Sequence, residues 1–250
     1  MSDSNSPLLS VDGVTVDYDG FKALDTMSLI LMPGETRVVI GPNGAGKSTL
    51  CDTIIGRVRP TSGRVIFRGE DISHLPEQTI VQRGICRKFQ APGILPTLTV
   101  AENMALAARL DRRWWKSLGF GASPAERALV DEVLDMVGLE GRREVEAGLL
   151  AHGEKQWLEI AMVVATGAEL MLLDEPTAGM GPAETARTAD LLRELGRTRT
   201  ILVIDHDMSF VEQLAAPVTV MHQGKFLRQG SIADIRADAE VAAVYLGHAT

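Results

Sequence analysis

The chain has 250 residues, of which 45% are hydrophobic and 23% are charged, proportions that are ordinary for a globular protein. This length suffices for one large domain or for a core with a subdomain. The net charge of −8 and the isoelectric point of about 5.2 argue against a generic nucleic-acid-binding protein, which needs a basic surface, although a local basic patch is not excluded.

Cysteine use and hydropathy indicate the compartment. Cys51 and Cys86 form neither a CxxC pair nor a cluster with histidines, so they predict buried reduced thiols rather than a zinc site or a disulfide framework. No segment approaches the roughly 18 uninterrupted apolar residues of a membrane span. Residues 1–10 contain an acid and lack the basic start of a signal peptide. We therefore expect a cytosolic chain that reaches a membrane only through a partner.

The first part of the chain predicts strands around a glycine-rich loop. Residues 9–18 alternate, which places Val14, Val16 and Tyr18 on one face of a half-buried strand. Further strands are predicted over 28–32, 37–40 and 64–68 and a helix over 47–55, with turns at 33–35 and 60–63.

Residues 91–156 differ, because their apolar residues recur at helical spacing. The predicted helices here cover 99–110, 124–137 and 153–166, with a loop or short insertion at 111–123. Strands at 169–173, 200–204, 218–222 and 225–228 then alternate with helices at 183–195, from 207 onward and at 239–246. This alternation predicts an α/β fold with a mainly parallel sheet and antiparallel strands near the N-terminus. We expect a single domain, with a core of 1–90 and 157–250 and an inserted helical subdomain of 91–156.

The glycine-rich loop is the strongest functional signal. Residues 41–48, GPNGAGKS, fit the phosphate-binding pattern G-x-x-x-x-G-K-[ST] between a strand and a helix. Its backbone N–H groups and the positive end of the helix form an anion cradle. Lys47 would bind the β- and γ-phosphates, and the Ser48 hydroxyl would bind Mg²⁺. The predicted ATP-binding residues of the loop are Gly41, Pro42, Asn43, Gly44, Ala45, Gly46, Lys47, Ser48 and Thr49.

A second acidic motif completes the predicted site. Asp174 ends an apolar strand, where its carboxylate can hold the Mg²⁺ shell. The adjacent Glu175 would face the γ-phosphate and orient or polarise the attacking water. An acidic turn after a strand is common by itself, but beside a phosphate loop it predicts hydrolysis of the bound nucleotide.

With these motifs the sequence resembles the ATP-binding subunits of ABC transporters over nearly its whole length. Tyr18 matches the aromatic residue that stacks on adenine in that family, and Gln90 matches a glutamine at the start of the helical subdomain. Pro176-Thr177 after the acidic pair and His206 after the next strand also match.

The resemblance implies an ATPase that uses ATP and Mg²⁺. It implies catalytic roles for Glu175, His206 and Gln90, and it implies that Ser48, Gln90 and Asp174 hold the metal.

One motif departs from the family pattern. The family's LSGGQ signature, which caps the nucleotide of a partner subunit, corresponds here to residues 150–156, LAHGEKQ. Ala151 lacks the serine hydroxyl that caps the helix, a loss of about 1 kcal/mol, and Glu154 brings a negative charge towards a polyphosphate. Gly153 keeps the close backbone approach to the nucleotide. We therefore hypothesise that the composite site using this signature is weaker than its mate.

The resemblance also implies partners. They are a second ATPase subunit, which we expect to form a heterodimer with this chain, two transmembrane permeases and an extracytoplasmic solute-binding protein, without nucleic acid. The chain would lie peripherally on the cytoplasmic face of the inner membrane, with membrane contact through the permeases.

Three features narrow the expected solute. The tail at 244–247 resembles the ending of ATPases of branched-chain amino acid and amide importers. The loop at 179–182, GMGP, stands where many ABC ATPases carry a loop ending in aspartate. Segments 87–92 and 152–160 are together most similar to the D-type ATPase subunit of urea importers. Urea or short amides are thus expected, with branched-chain amino acids as the alternative. A non-transport ABC ATPase is a remote alternative, because the chain is acidic and has neither a second cassette nor a long coiled coil.

The remaining conspicuous residues carry weaker predictions. The pair Trp114-Trp115, beside basic residues, either contacts a permease or lipid headgroups or anchors a loop. Trp157 and Cys51 are predicted to pack in the core. The histidines His74, His222 and His248 lack the spacing of metal ligands.

Overall fold

The structure, a computed structural model, describes residues 6–88, 93–108 and 123–246. The strands among these residues form two β-sheets. The first is antiparallel and contains, in chain order, β1 (Leu9–Tyr18), β2 (Phe21–Leu31), β4 (Ser62–Phe67) and β5 (Glu70–Asp71). Its strand order is β2-β1-β4-β5.

The second sheet has the order β10-β9-β3-β8-β7-β6 and is parallel except for its edge strand β10. Its strands are β3 (Thr36–Ile40), β6 (Ile85–Arg87), β7 (Leu170–Asp174), β8 (Thr200–Ile204), β9 (Val218–His222) and β10 (Lys225–Gly230). Its inner strands β3, β7 and β8 are buried at nearly every residue, as expected for a parallel sheet covered on both faces. The predicted α/β class, with a mainly parallel sheet and antiparallel N-terminal strands, is confirmed.

Nine α-helices are seen in the described ranges. They are α1 (Lys47–Ile54), α2 (Glu77–Gln82), α3 (Val100–Ala107), α4 (Pro124–Val137), α5 (His152–Ala165), α6 (Pro182–Leu195), α7 (Met208–Leu214), α8 (Ile232–Ala237) and α9 (Ala239–Leu246). Thr99 and Ser123 begin α3 and α4 with complete capping boxes, which fixes both helix starts. None of these helices is long and apolar enough to cross a membrane.

Two apolar clusters form the core of the described part of the chain. One joins α1 to both sheets and includes Leu50, Cys51 and Ile54, all fully buried. The other lies under α3 to α7 and includes Trp157, whose indole Nε1 donates to Thr188 Oγ1 at 2.9 Å. The predicted core positions of Cys51 and Trp157 are therefore confirmed, and both cysteines are buried free thiols.

Several predicted elements need correction. Strand β2 begins at Phe21 rather than at 28, because the whole segment pairs with β1 as a hairpin in which Tyr18 faces Phe21. The short α2, β5, β6 and α8 were not predicted, since elements of six residues or fewer carry too little periodicity. The predicted division at residue 156 falls inside α5, and the subdomain bounds stay a prediction.

Candidate functional site

The loop between β3 and α1 curls tightly around Gly46. This residue has φ of 94°, and a Cβ atom there would lie 2.4 Å from Ala23 O, so only glycine fits. Gly46 is also the N-cap residue of α1, which has no side-chain cap. The first N–H groups of α1 are therefore left for a ligand, and together with the helix dipole they favour an anion such as phosphate.

Lys47 lies at the base of this loop. Its Nζ atom donates to the carbonyl oxygens of Gly41 at 2.7 Å and Pro42 at 3.1 Å. Burial lowers the pKa of Lys47, whereas the nearby carboxylates of Glu175 and Asp174 act in the opposite direction. The structure therefore brings the predicted phosphate-binding lysine and the predicted acidic pair together.

The donor set fits a magnesium ion that arrives with a nucleotide. Within the described ranges no group of three or more His, Cys, Asp or Glu side chains could hold a metal ion. Ser48 offers an exposed hydroxyl at the start of α1, and Asp174 offers a carboxylate from the end of β7. Mg²⁺ typically takes one or two protein oxygens and completes its shell with phosphates and water, so this sparse set is sufficient.

Asp174 is held by a residue that the sequence analysis did not single out. Arg87, at the end of the neighbouring strand β6, donates from Nη2 to Asp174 Oδ2 at 2.7 Å and from Nη1 to Asp52 Oδ1 at 2.5 Å. No strand was predicted over Ile85–Arg87, so no signal in the sequence pointed to this role of Arg87. Its role emerges from strand pairing, because β6 lies beside β7 in the sheet.

Glu175 and His206 meet at the surface beside Asp174. The distance from His206 Nδ1 to Glu175 Oε1 is 3.3 Å, and both side chains are exposed. Glu175 adopts φ of 46°, a left-handed conformation that is uncommon outside glycine. Strained backbone of this kind clusters at functional sites, where the surroundings hold the conformation in place.

A buried carboxylate supports His206. Asp205 accepts hydrogen bonds from Thr177 Oγ1 at 2.9 Å and from the backbone N–H groups of His206 at 2.7 Å and Asp207 at 2.9 Å. Burial raises the pKa of Asp205, and these hydrogen bonds act against that shift. Asp205 thus fixes the backbone from which His206 projects, a role that the sequence analysis missed.

The aromatic residue predicted to stack on adenine lies at the tip of the β1–β2 hairpin. Tyr18 is 50% exposed and Phe21, its cross-strand neighbour, is 66% exposed. Val14 and Val16 on the same strand are buried, so the face that they share with Tyr18 leaves the core at the tip. Further down the hairpin, the carbonyl oxygen of Ala23 lies close to Gly46, so the hairpin packs against the phosphate loop.

The signature segment 150–156 begins α5. Ala151 makes no side-chain cap, as predicted, but its backbone N–H donates to Glu154 Oε2 at 2.9 Å. Glu154 also pairs with Arg142 Nε at 3.0 Å, so its charge is partly compensated within the chain. Within this chain, the backbone of Gly153 closely approaches the side chain of Glu184, since a Cβ atom at position 153 would lie 2.3 Å from Glu184 Oε1.

Gln90, the pair Trp114-Trp115 and His248 lie outside the described residues. Four of the predicted features lie at one edge of the parallel sheet: the phosphate loop, Glu175 and His206 follow strands β3, β7 and β8, and Asp174 ends β7. Ligands bind at this carboxyl edge in open α/β sheets. Fold and site together define a P-loop nucleotide-binding protein.

Comparison with known proteins specifies the family. The sequence profile described as ABC transporter matches residues 24–178. The high-affinity branched-chain amino acid transport ATP-binding protein LivG of Escherichia coli (strain K12) is 35% identical over 98% of this chain and 100% of that protein. BraF of Pseudomonas aeruginosa, which bears the same description, is 33% identical over 97% of this chain and 99% of its own length.

Solved structures agree with the sequence comparison. An ATP-binding cassette of an ABC transporter in its ADP conformation matches with a TM-score of 0.87 at 26% identity, over 97% of this chain and all of that one. A nucleotide-free cassette matches with a TM-score of 0.85. The chain belongs to the ABC transporter family of ATP-binding proteins. As such it is an ATPase, the subunit that powers a membrane transporter.

Proposed function

We propose that this chain hydrolyses ATP to drive an importer of branched-chain amino acids. The observation that carries the ATPase site is the pair Glu175 and His206, 3.3 Å apart beside Lys47 and Asp174. The solute is supported by LivG and BraF, which match over nearly their full lengths and are named for branched-chain amino acid transport. The names of LivG and BraF favour branched-chain amino acids over urea as the solute.

The roles of the residues follow from their chemistry. The loop N–H groups and Lys47 bind the phosphates. Ser48 and Asp174 would hold Mg²⁺, and that ion would neutralise phosphate charge. Glu175 accepts a hydrogen bond from the attacking water and polarises it. His206 stands next to Glu175 and contacts the γ-phosphate, while Asp205 keeps its backbone in place.

The proposal includes a paired assembly. The signature at 150–156 faces the nucleotide of a second ATPase subunit, and the altered signature favours a heterodimer. Two permeases dock on the helical subdomain, residues 91–156, and a solute-binding protein delivers the solute on the far side. The chain then sits peripherally on the cytoplasmic face of the membrane.

Urea or a short amide is the second candidate. It rests on segments 87–92 and 152–160, whose combination is most similar to the D-type ATPase of urea importers. Lys88 from the first segment hydrogen-bonds Gln156 from the second and pairs with Glu159 Oε2 at 3.3 Å. The described part of the first segment, residues 87 and 88, is therefore joined to the second segment through Lys88.

Uptake by the reconstituted transporter separates the two solutes. The chain is co-purified with its permeases and solute-binding protein, placed in lipid vesicles and supplied with ATP and either labelled leucine or labelled urea. We expect ATP-dependent uptake of leucine and none with Lys47→Ala. Uptake of urea without leucine would move the assignment to the second candidate, and uptake of neither would overturn both.

A further inference from the structure

The signature segment touches the hydrolysis turn of its own chain through His152. The ring atom Nε2 of His152 lies 2.8 Å from the carbonyl oxygen of Ala178, which is three residues beyond Glu175. Because a carbonyl oxygen only accepts hydrogen bonds, Nε2 carries the proton and donates it. The usual signature has glycine at this position, and glycine has no side chain that could make such a contact.

Ala178 is bonded on its other side to Glu175. The backbone N–H of Ala178 donates to the carbonyl oxygen of Glu175 at 3.2 Å, closing the turn that holds Glu175 at φ of 46°. One residue therefore connects the imidazole of His152 to the left-handed backbone of Glu175. The N-terminus of α5 is therefore joined through Ala178 to the turn that begins at Glu175.

The loop after Ala178 is shaped to receive the imidazole. Gly179 has φ of 74°, and a Cβ atom there would lie 2.9 Å from His152 Nε2 and 3.2 Å from Cδ2. The ring thus packs directly over the bare backbone of Gly179. A side chain at position 179 would displace His152 as well as strain the backbone.

A second contact joins the same two segments one residue further along. Gly153 packs against the carboxylate of Glu184, whose Oε2 accepts the N–H of Gly181 at 2.9 Å at the start of α6. Trp157, one turn along α5, bonds Thr188 of α6. The start of α5 and the loop that leads into α6 are therefore held together at several points, with His152 nearest to Glu175.

We propose that His152 is a positioning residue that couples the signature to hydrolysis within one subunit. This inference rests on the proposed function, in which the signature faces the nucleotide of the partner subunit. Nucleotide binding there moves the start of α5, His152 carries the movement to Ala178, and the carboxylate of Glu175 is re-aimed at the chain's own nucleotide. The two ATP sites of the dimer are thereby linked through this side chain.

The test compares His152→Ala with His152→Gln in the assembled transporter. The glutamine amide can donate to Ala178 O, whereas alanine cannot. ATPase rate is measured against ATP concentration, together with nucleotide binding by the isolated chain. For His152→Ala we expect kcat to fall about two- to tenfold, the range expected for one lost hydrogen bond, and the Hill coefficient to move towards one. Nucleotide affinity of the isolated chain should stay the same, and His152→Gln should recover most of the loss.

A double-mutant cycle with Gly179→Ala adds a check on the contact itself. Gly179→Ala should lower kcat in two ways, through backbone strain and through displacement of His152. In the His152→Ala background the loss of kcat caused by displacement of His152 should vanish, and only the loss caused by strain should remain. Strictly additive losses in ln kcat would contradict the contact.

The outcomes separate the two proposals. If the wild-type transporter turns over and His152→Ala has an unchanged kcat and Hill coefficient, the coupling role is overturned and the proposed function stands. A loss of melting temperature alone, with kcat per folded molecule unchanged, also overturns it. If the wild-type assembly shows no solute-stimulated turnover, the proposed function fails, and the role of His152 fails with it.

Discussion

Arg87 Nη2 lies 2.7 Å from Asp174 Oδ2, and the two side chains are only 5% and 2% exposed. The same guanidinium reaches Asp52, on the helix that begins with Lys47. Arg87 therefore holds together the phosphate-loop helix and the strand that ends in the acidic pair. A buried carboxylate without such a partner is strongly destabilising.

Removing this cation should destabilise the fold. We expect Arg87→Ala to lower the free energy of unfolding by about 3 kcal/mol, because Asp174 loses its buried partner. Urea denaturation followed by circular dichroism measures the change. The matched control is Arg64→Ala, whose pair with Asp12 is 3.7 Å long and more than half exposed on both sides, and which should cost about 0–1 kcal/mol. Equal losses in the two variants would contradict the role of Arg87.

Glu175→Gln should separate ATP binding from ATP hydrolysis. The amide cannot polarise water as a carboxylate does, so turnover should fall by about 10²–10⁴-fold while ATP still binds and holds the dimer closed. Lys47→Ala, in contrast, should lose nucleotide binding, because the phosphates lose their cation. Binding is measured with a fluorescent ATP analogue, dimer closure by size-exclusion chromatography and turnover by phosphate release. Normal turnover in either variant argues against the proposed roles.

We expect the two aromatic residues at the hairpin tip, Tyr18 and Phe21, to contribute differently to ATP binding. If adenine stacks on Tyr18, Tyr18→Ala should weaken ATP binding by about 1–3 kcal/mol, the range for a base on an aromatic side chain. Phe21→Ala, at the cross-strand position, should have a smaller effect. Titration with ATP and with inorganic triphosphate distinguishes base stacking from loss of folding, because triphosphate affinity should not change. Equal weakening for both ligands would remove Tyr18 from the adenine site.

Restoring the usual signature should strengthen the partner's site. Ala151→Ser gives α5 a side-chain cap, which should raise the free energy of unfolding by about 1 kcal/mol. In the assembled transporter, Ala151→Ser combined with Glu154→Gln should also raise the ATPase rate. Because Glu154 is already paired with Arg142, we expect the serine to contribute the larger share. No increase in the double variant would count against an asymmetric pair of sites.

Burial of Cys51 predicts a pH dependence of stability. Burial raises the pKa of Cys51 from 9.0 to about 12. The folded chain therefore keeps a proton that the unfolded chain releases, so the free energy of unfolding falls as pH rises from about 9 towards about 12, by at most about 1.4 kcal/mol per pH unit. Cys51→Ala should show a shallower decline over this window in urea denaturation. Identical slopes would mean that the thiol does not titrate in this way.

Local patterns in the sequence determined the elements that carry the nucleotide site. The apolar runs that became β3, β7 and β8 were recognisable because buried parallel strands are continuously hydrophobic. The phosphate loop was recognisable because its backbone geometry demands glycine at fixed positions. Both signals are short-range, so no knowledge of the rest of the fold was needed to find Lys47 and Glu175.

Contacts between distant segments were decided by the tertiary structure alone. Arg87 reaches Asp174 because β6 pairs with β7, and His152 reaches Ala178 because the start of α5 packs against the loop before α6. Such contacts depend on which elements become neighbours, and apolar periodicity leaves that choice open because many pairings bury similar surface. The sequence thus indicated the residues that we propose to bind ATP, whereas the packing of the elements selected the residues that hold them in position.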